Sequence, residues 1–303
     1  MTPFSRRDFG KGAHLAIALC LADFALPSSA RAAETPMTFT YSEGQNEIGL
    51  AKRFHWAVLA AALERTRKSH GDYRLVALPS MPMKRQEYEL THERPVITVA
   101  PFGSNAERAG RMLPVRIPID AGLLGYRVLL IREGDQQNFD RIRSIEDLKS
   151  IRFGLMPWWD DAWIMRAAGA TVVDGDSFEG LFHMLAASRF DAFSRGASEV
   201  IRDFNRMKSQ LPELAIEKHL LLHYPLPVYF WFSNDEEGQA RAERVRAGLT
   251  EMAADGTLKK MILKSYAEDI ATLHLSERQV IEIPNPLLDG QDPLDQATLW
   301  YRP

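Results

Sequence analysis

The chain has 303 residues, 46% hydrophobic and 25% charged. That composition is ordinary for a globular protein and excludes disorder, collagen and low complexity. The 37 Lys+Arg and 40 Asp+Glu give a net charge of -3, so there is no basic excess to release counterions from nucleic acid. One cysteine, Cys20, forms no internal disulfide and closes no zinc site.

The first residues read as a targeting segment. Ser5-Arg6-Arg7-Asp8-Phe9-Gly10-Lys11 resembles the twin-arginine export signal. A weakly apolar stretch, Gly12 to Leu26, follows, and Ala30-Arg31-Ala32 supplies a small-x-small cleavage pattern. The longest clean apolar run, Leu15 to Ala22, is far shorter than the ~20 residues of a membrane helix. Residues 1–32 are therefore expected to be an export peptide, with a periplasmic mature protein. Its removal takes away four bases (Arg6, Arg7, Lys11, Arg31) and two acids (Asp8, Asp23). It leaves 271 residues with 33 basic and 38 acidic side chains, a net charge of -5 and no cysteine. A thiol-free chain suits an oxidising compartment and excludes iron–sulfur clusters and c-type haem. No cofactor is expected.

Along the mature chain, Met37–Tyr41 alternates as a strand. A helix follows with Phe54, Ala57, Val58 and Ala61 on one face. Tyr73–Leu78 and Val96–Ala100 are further strands, the latter apolar on both faces, and Met83–Leu90 fits a helix between them. Leu124–Ile131 is a strongly apolar strand. Ser144 opens a short helix. Ile151–Leu155, Asp160–Ala168, Thr171–Val173, a Ser177-capped helix and Phe190–Phe193 then read as strand, helix, strand, helix, strand. That order predicts parallel pairing with right-handed crossovers. Val228–Phe232 is a strand, Glu236–Ala254 an amphipathic helix stopped by Asp255-Gly256, and Thr257 begins another. Pro284, Pro286, Pro293 and Pro303 predict an extended, wrapping tail.

Four segments in this order resemble the family 3 (polar-amino-acid type) extracellular solute-binding proteins. They are Asn105-Ala106-Glu107-Arg108, Ile145-Glu146-Asp147-Leu148-Lys149, Arg189-Phe190-Asp191-Ala192 and Asp255-Gly256-Thr257-Leu258-Lys259-Lys260. Each is weak alone; their order and spacing carry the resemblance over about 235 residues, Thr38 to Leu273. It implies an α/β, two-lobe type II periplasmic-binding-protein fold, each lobe a mostly parallel sheet flanked by helices. Leu124–Ile131 and Pro227–Phe232 would be the crossover strands. Residues 33–127 plus 228–303 would form lobe one and 128–227 lobe two. Ligand would lie between the lobes at the carboxyl ends of strands and be trapped by hinge closure.

The resemblance also assigns site residues. Arg108 stands where the family's arginine grips a ligand carboxylate, though a surface arginine opening a helix would fit the same segment. The family's lobe-two G-T-T turn falls on Trp158-Trp159-Asp160, which offers indole faces, a donor and an acceptor instead of close backbone approach. The alternative for the two tryptophans is a lobe core. The family's ammonium-binding aspartate falls near Phe193-Ser194-Arg195-Gly196, where an arginine replaces the acid. Arg195 either points to solvent or joins Arg108 in a cleft suited to an anion. Tyr41 and Glu43, at the end of the first strand, complete the candidate ligand-binding set with Ser194.

These departures point to a small anionic or aromatic ligand rather than an ordinary α-amino acid. The expected partners are that ligand and an inner-membrane ABC permease or a sensor, with the protein a monomer. The alternatives are a cyclohexadienyl-dehydratase-like lyase on the same fold, with Asp160, Asp161 or Glu43 as acid–base groups, or a member with a degenerate cleft. His219 and His223 lie on an extended segment and are too far apart for an easy shared metal ion. Phosphate-loop and nucleophile-elbow motifs are absent.

Overall fold

A computed structural model describes residues 35–43 and 48–303. The expected export peptide, residues 1–32, lies outside the described residues, and Cys20 with it. In chain order, lobe one begins with β1 (Met37–Ser42), α1 (Ile48–Arg65), α2 (Arg67–His70), β2 (Tyr73–Leu78), α3 (Met83–Leu90), β3 (Ala100–Gly103), α4 (Ala106–Ala109) and β4 (Met112–Val115). The chain then crosses into β5 (Tyr126–Arg132), α5 (Gln136–Phe139), β6 (Arg152–Leu155), α6 (Asp160–Ala167) and β7 (Thr171–Asp174). Lobe two continues with α7 (Phe178–Ala186), β8 (Phe193–Gly196), α8 (Val200–Lys208), β9 (Leu214–Ile216) and β10 (Leu220–His223). It returns through β11 (Val228–Ser233), α9 (Glu236–Ala254) and α10 (Thr257–Leu273), and ends with β12 (Gln279–Glu282) and a tail.

Both crossover strands are predominantly apolar because both of their faces are covered, although β5 carries Arg127 and Arg132 and β11 ends in Ser233. In β11, Val228, Phe230 and Phe232 face one lobe-one core while Tyr229 and Trp231 face another. In β5, Leu129 and Ile131 enter one lobe-two core, and Val128 and Leu130 the other. Period-two alternation thus survives as two buried faces instead of one. The helices α1 and α9 meet at Gly248, where a β-carbon would fall 2.1 Å from the Ala62 carbonyl oxygen.

The pairing is more mixed than the expected mostly parallel sheets. β1 and β2, and β6 and β7, pair in parallel, and Phe153 bridges Ala192 in parallel so that β8 lies beside β6. The crossover strands supply the antiparallel pairs: β11 with β3 and β4, and β5 with β8, β9 and β10. A strand that enters a sheet from the other lobe has no βαβ crossover to hold it parallel to its neighbours.

Two strands are displaced from expectation. The strand expected at Val96–Ala100 is β3, Ala100–Gly103. Thr98 instead clips this stretch to β1: its N–H donates to the Thr40 carbonyl (2.8 Å), and its Oγ1 accepts from the Thr40 N–H (2.9 Å). The strand expected at Phe190–Phe193 begins at Phe193 and runs to Gly196. The boundary of lobe one also needs correction. β12, within the 228–303 segment, pairs in parallel with β10 on the lobe-two sheet, and Ile281 and Ile283 are buried in a lobe-two core. The tail then returns to lobe one. The Ala106 N–H donates to Leu287 O (2.7 Å), Arg116 pairs with Asp289, and the Tyr229 hydroxyl donates to Asp292 (2.8 Å).

Asp120 ties the crossover segments together. Its carboxylate, 2% exposed, accepts from the N–H groups of Gly122 (3.0 Å), Leu124 (3.0 Å) and Val228 (3.4 Å). Gly125 abuts the returning segment so closely that a β-carbon would sit 2.2 Å from Tyr224 O. Burial raises the Asp120 pKa to about 6, against the pull of its N–H donors. The folded chain therefore holds this proton more tightly than the unfolded chain, and the contribution of Asp120 to stability falls as pH rises from about 4 to about 6. Relative to Asp120→Asn, the wild type should lose on the order of 3 kcal/mol between those limits, read from urea unfolding at each pH. A stability difference independent of pH would refute this.

Candidate functional site

The site lies where the carboxyl end of β3 and the start of α4 meet the first turn of α6. Asn105 caps α4, its side-chain oxygen accepting from the N–H groups of Glu107 (2.9 Å) and Arg108 (3.2 Å). The cap fixes Asn105 and Arg108 side by side, facing lobe two. The Arg108 guanidinium is buried, lying 5.3 Å from the Phe102 ring and 5.7 Å from Trp231. Its Nε and Nη2 donate to Glu87 Oε1 (3.2 and 2.8 Å), and its Nη1 donates to the Gly103 carbonyl (2.6 Å).

The remaining contact crosses between lobes. Asp160, the first residue of α6, accepts from Arg108 Nη1 at Oδ2 (3.4 Å) and from the Asn105 amide at Oδ1 (2.8 Å). A carboxylate at a helix N-terminus is favoured by the backbone dipole. Burial nevertheless raises the Asp160 pKa, opposed by Arg108 and Asn105.

Beneath α6 lies a second network. Asp161 pairs with Arg127 (3.0 Å) and accepts a hydrogen bond from the Tyr224 hydroxyl. Arg127, 1% exposed, also donates to Ser194 Oγ (3.2 Å), Ser194 O (3.1 Å) and Leu124 O (2.9 Å). Ser194 is therefore engaged in holding Arg127. Arg195 is buried, not turned to solvent: its Nε donates to Asp203 (2.7 Å) and its Nη2 meets Glu199 (3.0 Å). Its guanidinium carbon lies 5.2, 5.1 and 5.5 Å from the rings of Trp159, Phe178 and Phe193. Burial disfavours its charge, but the Glu199 and Asp203 carboxylates outweigh this and raise its pKa.

The two tryptophans part company. Trp158 is 40% exposed, whereas Trp159 is half-buried and stacks with Phe193 (6.3 Å, 13°). Tyr41 and Glu43 are engaged in lobe one. Tyr41 packs on Trp56 with ring centroids 4.3 Å apart, and Glu43 is exposed with its N–H on Leu78 O (2.9 Å). The structure thus joins Arg108 to Asp160 and Trp159 to Arg195, and adds Glu87, Asn105, Arg127, Asp161 and Tyr224. Arg127 carried a signal, being the one charged residue inside the apolar stretch Leu124–Ile131. Glu87 carried none beyond its place on a helix. Among the described residues no cluster of metal-ligating side chains forms: His219 contacts Arg143, and His223 contacts Glu282.

Neither a protein-family model nor any curated protein matches the sequence. Solved structures do match. An ancestral arginine-binding protein bound to arginine superposes with TM-score 0.55 at 20% identity, covering 76% of this chain and 98% of that one. The GluR0 ligand-binding core complexed with L-glutamate gives 0.56 at 12% identity, covering 77% and 98%. A Salmonella typhimurium periplasmic binding protein with high arginine specificity gives 0.53 at 14% identity, covering 75% and 98%. The chain has the α/β, two-lobe fold of type II periplasmic binding proteins.

The buried pair between Glu87 and Arg108 sets where the Arg108 fork points. Glu87→Ala should cost on the order of 3 kcal/mol in urea unfolding, because it strands a buried guanidinium. Glu107, whose side chain is 82% exposed beside Arg111, serves as the control, and Glu107→Ala should cost less than about 1 kcal/mol. Equal costs would show that Glu87 does not hold Arg108.

Proposed function

We propose that this chain is an exported solute-binding protein that encloses a small carboxylate-bearing ligand, anionic or aromatic, between its lobes. One observation carries the reading. Arg108 and Asn105 form a donor pair on lobe one that faces lobe two and holds a carboxylate there, that of Asp160. Charged N–H donors on a carboxylate are about twice as strong as neutral ones, and a guanidinium suits a planar oxyanion. The fold supports the reading, because structures sharing it are described with arginine, glutamine or glutamate bound. The twin-arginine-like segment and the small-x-small pattern at Ala30–Ala32 support export to the periplasm, and an ABC-type permease or a sensor is the natural recipient of the ligand.

Arg195 is paired with Asp203 and Glu199 and Arg127 with Asp161, all on their own side of the molecule, whereas Arg108 has one partner, Asp160, on the opposite lobe, so Arg108 and Asn105 are the anion-recognising pair in this reading. The enzymatic alternative has one observation in its favour, the raised pKa of Asp160, which would suit a proton donor. Binding without turnover returns the ligand unchanged after long incubation, as mass spectrometry of the recovered molecule will show.

A thermal-shift panel of aliphatic dicarboxylates, aromatic acids and amino acids, each beside its uncharged amide or ester, tests the proposal. A true ligand at a hundred times its dissociation constant stabilises the fold by ~2.7 kcal/mol. Stabilisation should require the free carboxylate and be lost in Arg108→Ala. No stabilisation by any acid, or equal stabilisation by acid and amide, would refute the reading.

A further inference from the structure

We propose that Asp160 is a tethered carboxylate that competes with the ligand for the Arg108–Asn105 socket and, while seated there, holds the two lobes together. This rests on the reading above that the socket takes a ligand carboxylate. Three observations lead to it.

The first is the chemistry of the contact. Asp160 presents one oxygen to the Asn105 amide and the other to Arg108 Nη1, as a free carboxylate would. The second is its reach across the molecule. Asn105 and Arg108 belong to lobe one, Asp160 opens a lobe-two helix, and the contacts span 55 and 52 residues. The third is that neither partner can turn away cheaply. Arg108 is held by Glu87 and Gly103 O. Asp160 sits on a first turn fixed by the Trp159 N–H on Met156 O and the Ala162 N–H on Trp159 O, each 3.1 Å. Asp161, next in sequence, is committed to Arg127 and Tyr224. The neighbouring space is also filled: a β-carbon on Gly103 would lie 3.4 Å from Asp160 Oδ2 and 2.9 Å from Leu226.

A group tethered at this range competes as though present at an effective concentration on the order of millimolar. A ligand carboxylate that displaces Asp160 must break the interlobe contact before it can remake one. The apparent affinity is lowered by the fraction of molecules in which the socket is occupied by Asp160. Asp160 therefore sets the threshold concentration for capture, and only ligands with further contacts between the lobes overcome it.

The test reads the lock and the competition separately. Spin labels are placed at Glu93→Cys on lobe one and Arg189→Cys on lobe two, in a full-length chain carrying Cys20→Ser. The distance distribution is measured in buffer without carboxylates for the Asp160 parent, Asp160→Ala and Asp160→Asn. The alanine variant should give a longer or broader distribution than the parent, with the asparagine variant between them because it keeps one hydrogen bond. Should Asp160→Ala fold poorly, Asp160→Asn alone still decides. Superimposable distributions overturn the lock. Glutarate and benzoate are then titrated by calorimetry. At least tenfold tighter binding of either acid by Asp160→Ala supports competition, and equal or weaker binding overturns it. If neither acid, nor any acid of the thermal-shift panel, binds any variant, the solute-binding reading fails, while the distance measurement still decides the lock.

Discussion

Asp120 is the constraint on which the arrangement of the lobes depends. Two chain segments run between the lobes side by side, and their junction needs N–H groups satisfied away from water. One carboxylate meets that need for Gly122, Leu124 and Val228 at once. The same burial that makes it a good acceptor opposes its charge, so the junction is bought with a raised pKa. The near-contact of Gly125 with Tyr224 O leaves the segments no room to slide. A Tyr301 N–H on Ala121 O (2.9 Å) brings the tail to the same place.

Local features were the legible ones. Ser177 caps its helix through the hydrogen bond its residue type suggests, and the apolar runs that form β5 and β11 stand out because both faces are buried. Val96–Ala100 misled for the same reason that β11 did not. An apolar stretch buried on both sides looks alike whether it pairs as a strand or is clipped at one threonine, and Thr98 made the difference. β12 was invisible because its partner, β10, is a long way back in the chain and its own burial pattern is weak, with only Ile281 buried. Long-range ion pairs leave even less trace. Arg108 could be placed by motif, but Glu87 could not, since nothing local distinguishes a glutamate that turns inward.

The two arginines show why position alone does not settle a role. The sequence suggests an anion-facing role for Arg108 and leaves Arg195 open between solvent and the same cleft, and both are buried. Arg195 is matched by two carboxylates of its own lobe, Asp203 and Glu199, and covered by three aromatic rings. Its charge is spent on internal structure, and a buried guanidinium left unpaired there would be costly. Arg108 also has two carboxylates, but they differ in kind. Glu87 belongs to lobe one and stays with Arg108 whatever lobe two does. Asp160 belongs to the other lobe and, in the proposed reading, leaves with it. On that reading the distinction between a structural arginine and a recognising one lies in which partner is removable.

Arg195 still bears on the site, indirectly. Its guanidinium lies against Trp159, Phe178 and Phe193, and Trp159 is the residue immediately before α6. Cation–π contacts of this kind contribute more when desolvated, as here. They hold the indole in place, and the indole's backbone carries the first turn on which Asp160 is mounted. Arg127 does the same from below through Asp161. Arg127 and Arg195 thus act as a bed for the helix start, and in the proposed reading the anion-facing chemistry is left to Arg108 on the opposite side. Where the resemblance places a glycine-containing turn that offers backbone N–H groups, Trp158-Trp159-Asp160 presents a carboxylate of its own. The consequence is a seam between the lobes that is complementary to itself, so that, on the reading proposed above, a ligand must offer Arg108 and Asn105 a better partner than the one already mounted across from them.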